Sequence, residues 1–154
     1  MITSLDYSLI GSMNQNLEGG NSRLQAAKSF NRAYSRGKLG QLWAKILRKD
    51  NHLKTLASQP VSTHRPTSHI ISVPIQQIKG SLGRSADFDV NFNPLQERSR
   101  SRWISVASAI QAGIPLPPVE LVQVGETYYV RDGHHRISVA KTMEQEAIEA
   151  RIVN

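Results

Sequence analysis

The chain has no cysteine among its 154 residues, which removes disulfide bridges, thiolate zinc sites and any cysteine nucleophile at once. Long apolar runs are missing too: none approaches the roughly 18 residues that a membrane-spanning helix needs. Met1 to Ile10 lacks both the basic start and the apolar stretch of a secretory leader. There is no internal repeat. A cytoplasmic protein is therefore expected, and at this length one domain with appendages is favoured over two. Hydrophobic residues, at 39%, are enough for a core.

Acidic residues are scarce in the first part of the chain. Met1 to Pro60 holds nine Lys and Arg against Asp6, Glu18 and Asp50, whereas ten basic and nine acidic residues follow from Val61 onward. The net charge of +7 thus belongs almost entirely to an N-terminal arm. Such an arm is either a solvated basic face or a contact for DNA or an acidic surface, with Arg32, Arg36, Lys45, Arg48 and Lys49 as the candidate nucleic-acid contacts.

Local pattern divides the chain further. Residues 1–21, with Gly11, Gly19, Gly20 and little periodicity, are expected to be a disordered lead-in. Residues 22–58 read as a basic helical arm: Ser22 caps a first helix that Gly37 and Gly40 interrupt, and Leu39, Leu42, Trp43, Ile46, Leu47, Leu53 and Leu56 give a second helix an apolar stripe. That stripe needs a covering partner, whether the C-terminal domain, a second copy of the chain, a membrane surface or another helix. Residues 59–68, rich in Pro, Ser and Thr, read as a linker.

From residue 69 to 154 the pattern is that of a compact α+β unit with a small mixed sheet. His69 to Val73 reads as a strand, Pro74 to Ile78 as a short turn, and Gly80 to Arg84 as a flexible loop. A helix is expected from Gln96 to Ala112. Arg98, Arg100 and Arg102 near its start oppose the helix dipole, which hints at a bound anion. Pro115 to Pro118 stiffens the path into a hairpin of Val119–Val124 and Thr127–Val130 around Gly125-Glu126, a helix follows from about Gly133 to Gln145, and Ala147 to Val153 closes as a strand.

The most informative stretch is Asp132-Gly133-His134-His135-Arg136, where an apolar strand runs through Asp-Gly into a helix that begins with His, His and Arg. N–H groups in a helix's first turn and the positive end of its dipole attract phosphate or carboxylate, and a glycine lets a ligand approach the backbone. Arg136 carries a forked cation that grips two phosphate oxygens or, alternatively, bridges Asp132, Glu120 or Asp89. His135 suits anion binding or proton transfer. His134 serves as a ligand contact or as a capping and packing residue. Asp132 is either the helix N-cap or a catalytic group that meets a phosphate-bound Mg2+. Arg84 completes a phosphate clamp or bridges Asp87 or Asp89. Adjacent histidines rarely share a tetrahedral ion and the spacing matches no zinc finger, so no protein-held metal is expected.

The order of strand, Gly-Arg loop, Arg-rich helix, Gly-Ile-x-x-Pro-Pro, hairpin, Asp-Gly-His-His-Arg, helix and strand resembles the ParB/sulfiredoxin superfamily over about Ile70 to Val153. Gly133-His134-His135-Arg136 sits where partition proteins carry Gly-Glu-Arg-Arg and sulfiredoxins Gly-Cys-His-Arg, and Arg84 sits at the arginine of a preceding box. The resemblance implies a stand-alone domain that binds a nucleotide or another phosphorylated small molecule, with Mg2+ as its accompanying ion, and allows phosphoryl transfer or nucleotide hydrolysis. It also marks departures. Sulfiredoxin chemistry needs a cysteine where His134 stands, so that reductase activity is excluded. His134 replaces an acid and His135 an arginine of the partition proteins. With the chain ending at Asn154, no helix-turn-helix follows, and a site-specific centromere binder is not expected. The second class of function is a non-catalytic DNA-associated or regulatory module that uses the basic arm. The third is an adaptor or self-associating protein that uses the Leu39 to Leu56 stripe.

Overall fold

The computed structural model of the chain describes residues 4–56, 69–83 and 86–153, with side chains in the first helix from Gly19 onward. The linker at 59–68 and Arg84 lie outside the described residues.

The first element is one continuous helix, α1 (Ser4–Leu47), where the sequence predicts a disordered lead-in to Asn21 and a break at Gly37 and Gly40. Glycine costs a helix about 1 kcal/mol relative to alanine, but Gly37 is a point of close packing: a Cβ there would lie 2.9 Å from the Pro94 carbonyl oxygen and 3.0 Å from Leu95. The helix can run through because its neighbour needs the space. It ends at Leu47, and the next residue, Arg48, takes a left-handed φ of 52° while the Lys49 N–H donates to the Ala44 carbonyl at 2.9 Å.

Beyond that turn the helical expectation through Leu56 fails. Leu53 is buried in the domain core, and β1 (Lys54–Thr55) pairs in parallel with β3 (Ile78–Ser81), Lys54 opposite Gly80. A spacing of apolar residues that continues the helical period is thus used by an extended segment. Gly80 to Gly83, expected as a loop, likewise begins inside a strand.

The remaining elements follow in order: β2 (Ile70–Pro74), a 3-10 turn at Ile75–Gln77, β3, a second 3-10 turn at Glu97–Ser99, α2 (Arg100–Gln111), β4 (Val119–Val124), β5 (Thr127–Asp132), α3 (His134–Thr142) and β6 (Ala147–Ile152). They form an α+β fold on a six-stranded mixed sheet of order β1-β3-β5-β4-β6-β2. The pairs β3/β5 and β4/β6 are parallel, whereas β4/β5 and β2/β6 are antiparallel.

Two apolar clusters hold these layers together. Leu53, Val73, Ile78, Phe88, Phe92, Leu121, Val130 and Ile137 fill the space against the sheet. Ala26, Phe30 and Ala33 of α1 meet Trp103 and Ala107 of α2 and Val139 of α3 in the second. Phe30 packs edge-on against Trp103 with ring centroids 5.6 Å apart, an arrangement that contributes about 0.5–1.5 kcal/mol beyond the buried area. The Trp103 indole N–H donates to Ser138 Oγ at 2.9 Å, so the buried ring leaves no polar atom unmatched.

Candidate functional site

β5 delivers the chain to the end of the sheet at Asp132, and Gly133 turns it into α3 with φ 99°. Gly133 is the N-cap of that helix. Asp132 is still a strand residue, opposite Glu120 in register, which settles against its expected role as N-cap. Gly133 serves packing as well as conformation, because a Cβ would come within 2.6 Å of Val119 Cγ1 and 3.1 Å of Arg136 Nη2. The first intrahelical bond runs from the Ile137 N–H to the Gly133 carbonyl at 3.0 Å. The N–H groups of His134, His135 and Arg136 therefore lie in the turn where the helix dipole is positive.

The two histidines are placed differently. His134 is buried, its Nε2 2.6 Å from Ser81 Oγ, and its ring stacks on Phe88. Ser81 Oγ accepts the Gly83 N–H at 3.0 Å and approaches the carbonyls of Gly83 and Val130. When the serine proton goes to one of those carbonyls, Nε2 is the atom that donates to Oγ. His134 thus fastens α3 to the end of β3. His135 is only partly buried and meets Phe88 edge-on at 5.5 Å.

Arg136 turns its guanidinium onto the protein. Nη1 donates to the carbonyl oxygens of Pro117 and of Pro118, the latter at 2.9 Å, and Nη2 donates to the Asp132 carboxylate at 3.0 Å. Of the two expectations for this residue, the bridge to Asp132 is the one formed, with the Pro-rich connector as a further acceptor. Glu120 and Asp89 are not its partners among the described ion pairs. Asp89 is itself buried, accepting the N–H groups of Asn91 and Asn93 at 2.9 and 2.8 Å and the Asn93 side-chain amide at 3.0 Å. It shapes a turn. Asp87 binds Arg98 at 2.7 Å.

Around the start of α3 lies a cavity of about 90 Å3 lined by Arg102, Val106, Asp132, Gly133, His134, His135 and Arg136. Given about 30 Å3 for one water, that is room for a single phosphate- or carboxylate-sized group. Of the three arginines near the start of α2, Arg98 serves Asp87, and Arg100 is shared by Glu97, Asn31 and the Phe30 ring. Arg102 forms no ion pair among the described residues and is part of the cavity lining. The basic start of the helix carried this signal in the sequence as a hint of a bound anion, without singling out Arg102. Asp132 is the one acid on that wall and it is paired with a guanidinium. Among the described residues no group of three or more His, Cys, Asp or Glu is placed to hold a metal ion.

The arm residues Arg32, Arg36, Lys45, Arg48 and Lys49 are all exposed on or just beyond α1. No helix among the described residues is long and apolar enough to cross a membrane.

No family model matches the chain, and no curated protein matches it by sequence. Among solved structures it is similar to the sulfiredoxin of Arabidopsis thaliana, with 19% identity and a TM-score of 0.42, over 55% of this chain and 83% of that one.

Proposed function

We propose that the chain is a ParB/sulfiredoxin-type domain that binds a phosphate-bearing small molecule, a nucleotide or a similar ligand, through the N-terminal turn of α3. The observation that carries this reading is the small cavity there, bounded by the helix's positive end and by Arg102, a cation that no carboxylate neutralises among the described residues. Its volume suits one phosphate group, so the rest of the ligand would lie over the open rim. Arg136 lines the same cavity and ties Asp132 on its wall to the Pro117 and Pro118 carbonyls of the connector.

Binding is favoured over phosphoryl transfer. Asp132, the one carboxylate on the cavity wall, is engaged by Arg136. Titration calorimetry with inorganic phosphate and a panel of nucleotides, each with and without magnesium, tests the reading. Saturable binding that weakens about tenfold or more in Arg102→Ala is the expected result, as a charge-assisted hydrogen bond of about 1.5–3 kcal/mol requires. No heat with any of these ligands, or an unchanged affinity in the variant, overturns it.

A further inference from the structure

Of the stripe that the sequence left in need of a partner, Leu53 is buried in the core, but the part on α1 is exposed. Leu39, Leu42, Trp43, Ile46 and Leu47 are each between 55% and 62% exposed at the C-terminal end of α1. They lie on the side of the helix away from the body. Ala26, Phe30, Ala33 and Gly37 form the buried face, and Leu39, two residues on, is turned roughly 200° from Gly37. One helix therefore carries two apolar faces, and the fold uses only one of them.

Charge identifies what the second face fits. Between Glu18 and Asp50 there is no acidic residue, while Lys38 and Lys45, seven residues apart, are exposed on one flank of the helix beside the apolar row, and Arg48 and Lys49 are exposed just beyond its end. A second copy of the chain would bring an equally basic helix against this one, which like charge opposes. A nucleic-acid backbone would satisfy the lysines and leave five large apolar side chains in water. A convex ridge on a single helix asks a protein partner for a matching groove, whereas a lipid headgroup layer moulds around it. Trp and Leu on one side with lysines on the flank is the composition of helices that lie in a membrane interface.

We propose that the Leu39–Leu47 end of α1 docks this protein on an anionic lipid surface, the apolar row entering the headgroup layer and Lys38, Lys45 and Lys49 meeting lipid phosphates. The chain has two Trp, of which Trp103 is fully buried, so a change in emission on binding reports Trp43. The full-length protein is mixed with vesicles of phosphatidylcholine alone and of phosphatidylcholine mixed equally with phosphatidylglycerol. Cosedimentation with the second but not the first, a shift of Trp emission to shorter wavelength, loss of both in Trp43→Ser and about 30-fold weaker binding in Lys45→Gln with Lys49→Gln are expected. All these substitutions are at exposed positions, so the fold is retained. Equal affinity for the two vesicles, unmoved emission, or binding of a DNA duplex in place of vesicles overturns the proposal.

Discussion

Ser81 Oγ and His134 Nε2 lie 2.6 Å apart across 53 residues of sequence, joining the end of β3 to the first turn of α3. Both residues are buried, so water cannot replace either partner at low cost. Ser81→Ala removes this bond while the ring stays inside, and is expected to lower unfolding free energy by about 1–3 kcal/mol. Urea unfolding measures it; a midpoint equal to that of the unsubstituted chain contradicts the structural role given to the pair.

Gly133→Ala tests the turn itself. A φ of 99° and a Cβ contact of 2.6 Å with Val119 act together, and left-handed backbone costs about 1–2 kcal/mol for a residue with a side chain, with a further 1–3 kcal/mol for overpacking. The variant should be among the least stable single substitutions in the domain. A calorimetric melting temperature within a degree or so of the parent would show that the backbone has an easier path.

Arg136→Lys keeps the charge but loses the fork that reaches two prolyl carbonyls and a carboxylate at once. Stability should fall by about 1–3 kcal/mol, and amide exchange should accelerate at Val119, where the connector enters β4. Full retention of exchange protection would mean that the connector is held by its prolines alone.

Lys141 offers a test by pH. Its ammonium lies over the Phe92 ring, 4.8 Å from the centroid, and burial, together with repulsion from Lys79 and against attraction by Asp89, pulls its pKa below the usual 10.5. Between the lowered folded value and 10.5 the unfolded chain binds more protons, so this group's contribution to stability rises with pH across that window and is flat below it. Lys141→Met removes that dependence. The stability gap between the two proteins should therefore shift in favour of the unsubstituted chain as pH climbs toward 10.5, and a constant gap counts against the effect.

Much of the fold is legible where hydrophobic pattern and turn chemistry agree. The hairpin of β4 and β5 follows from alternation on either side of Gly125-Glu126, with Gly125 at φ 60°. The helix after Asp132-Gly133 and the strand at Ala147 were equally plain. Leu53 was not. Its spacing from Ile46 and Leu47 continues a helical stripe, and only the distant β3 edge makes the segment extended. Gly37 misled for a similar reason: its role is set by Pro94 and Leu95, far along the chain. At the site, the order of residues gave the helix start and its charge, but which arginine faces the cavity depends on how α2 lies beside α3. Arg136 has three protein oxygens within reach that sequence alone does not bring together, and Arg102 has no ion-pair partner among the described residues.

The arm is stitched into the body at both of its ends, by Phe30 beneath Trp103 and by Leu53 with β1 at the margin of the sheet. Trimming the chain near residue 60 to isolate the remainder would thus strip a strand, open one cluster and unroof the other. What looks in sequence like a detachable basic tail is the keel of the domain.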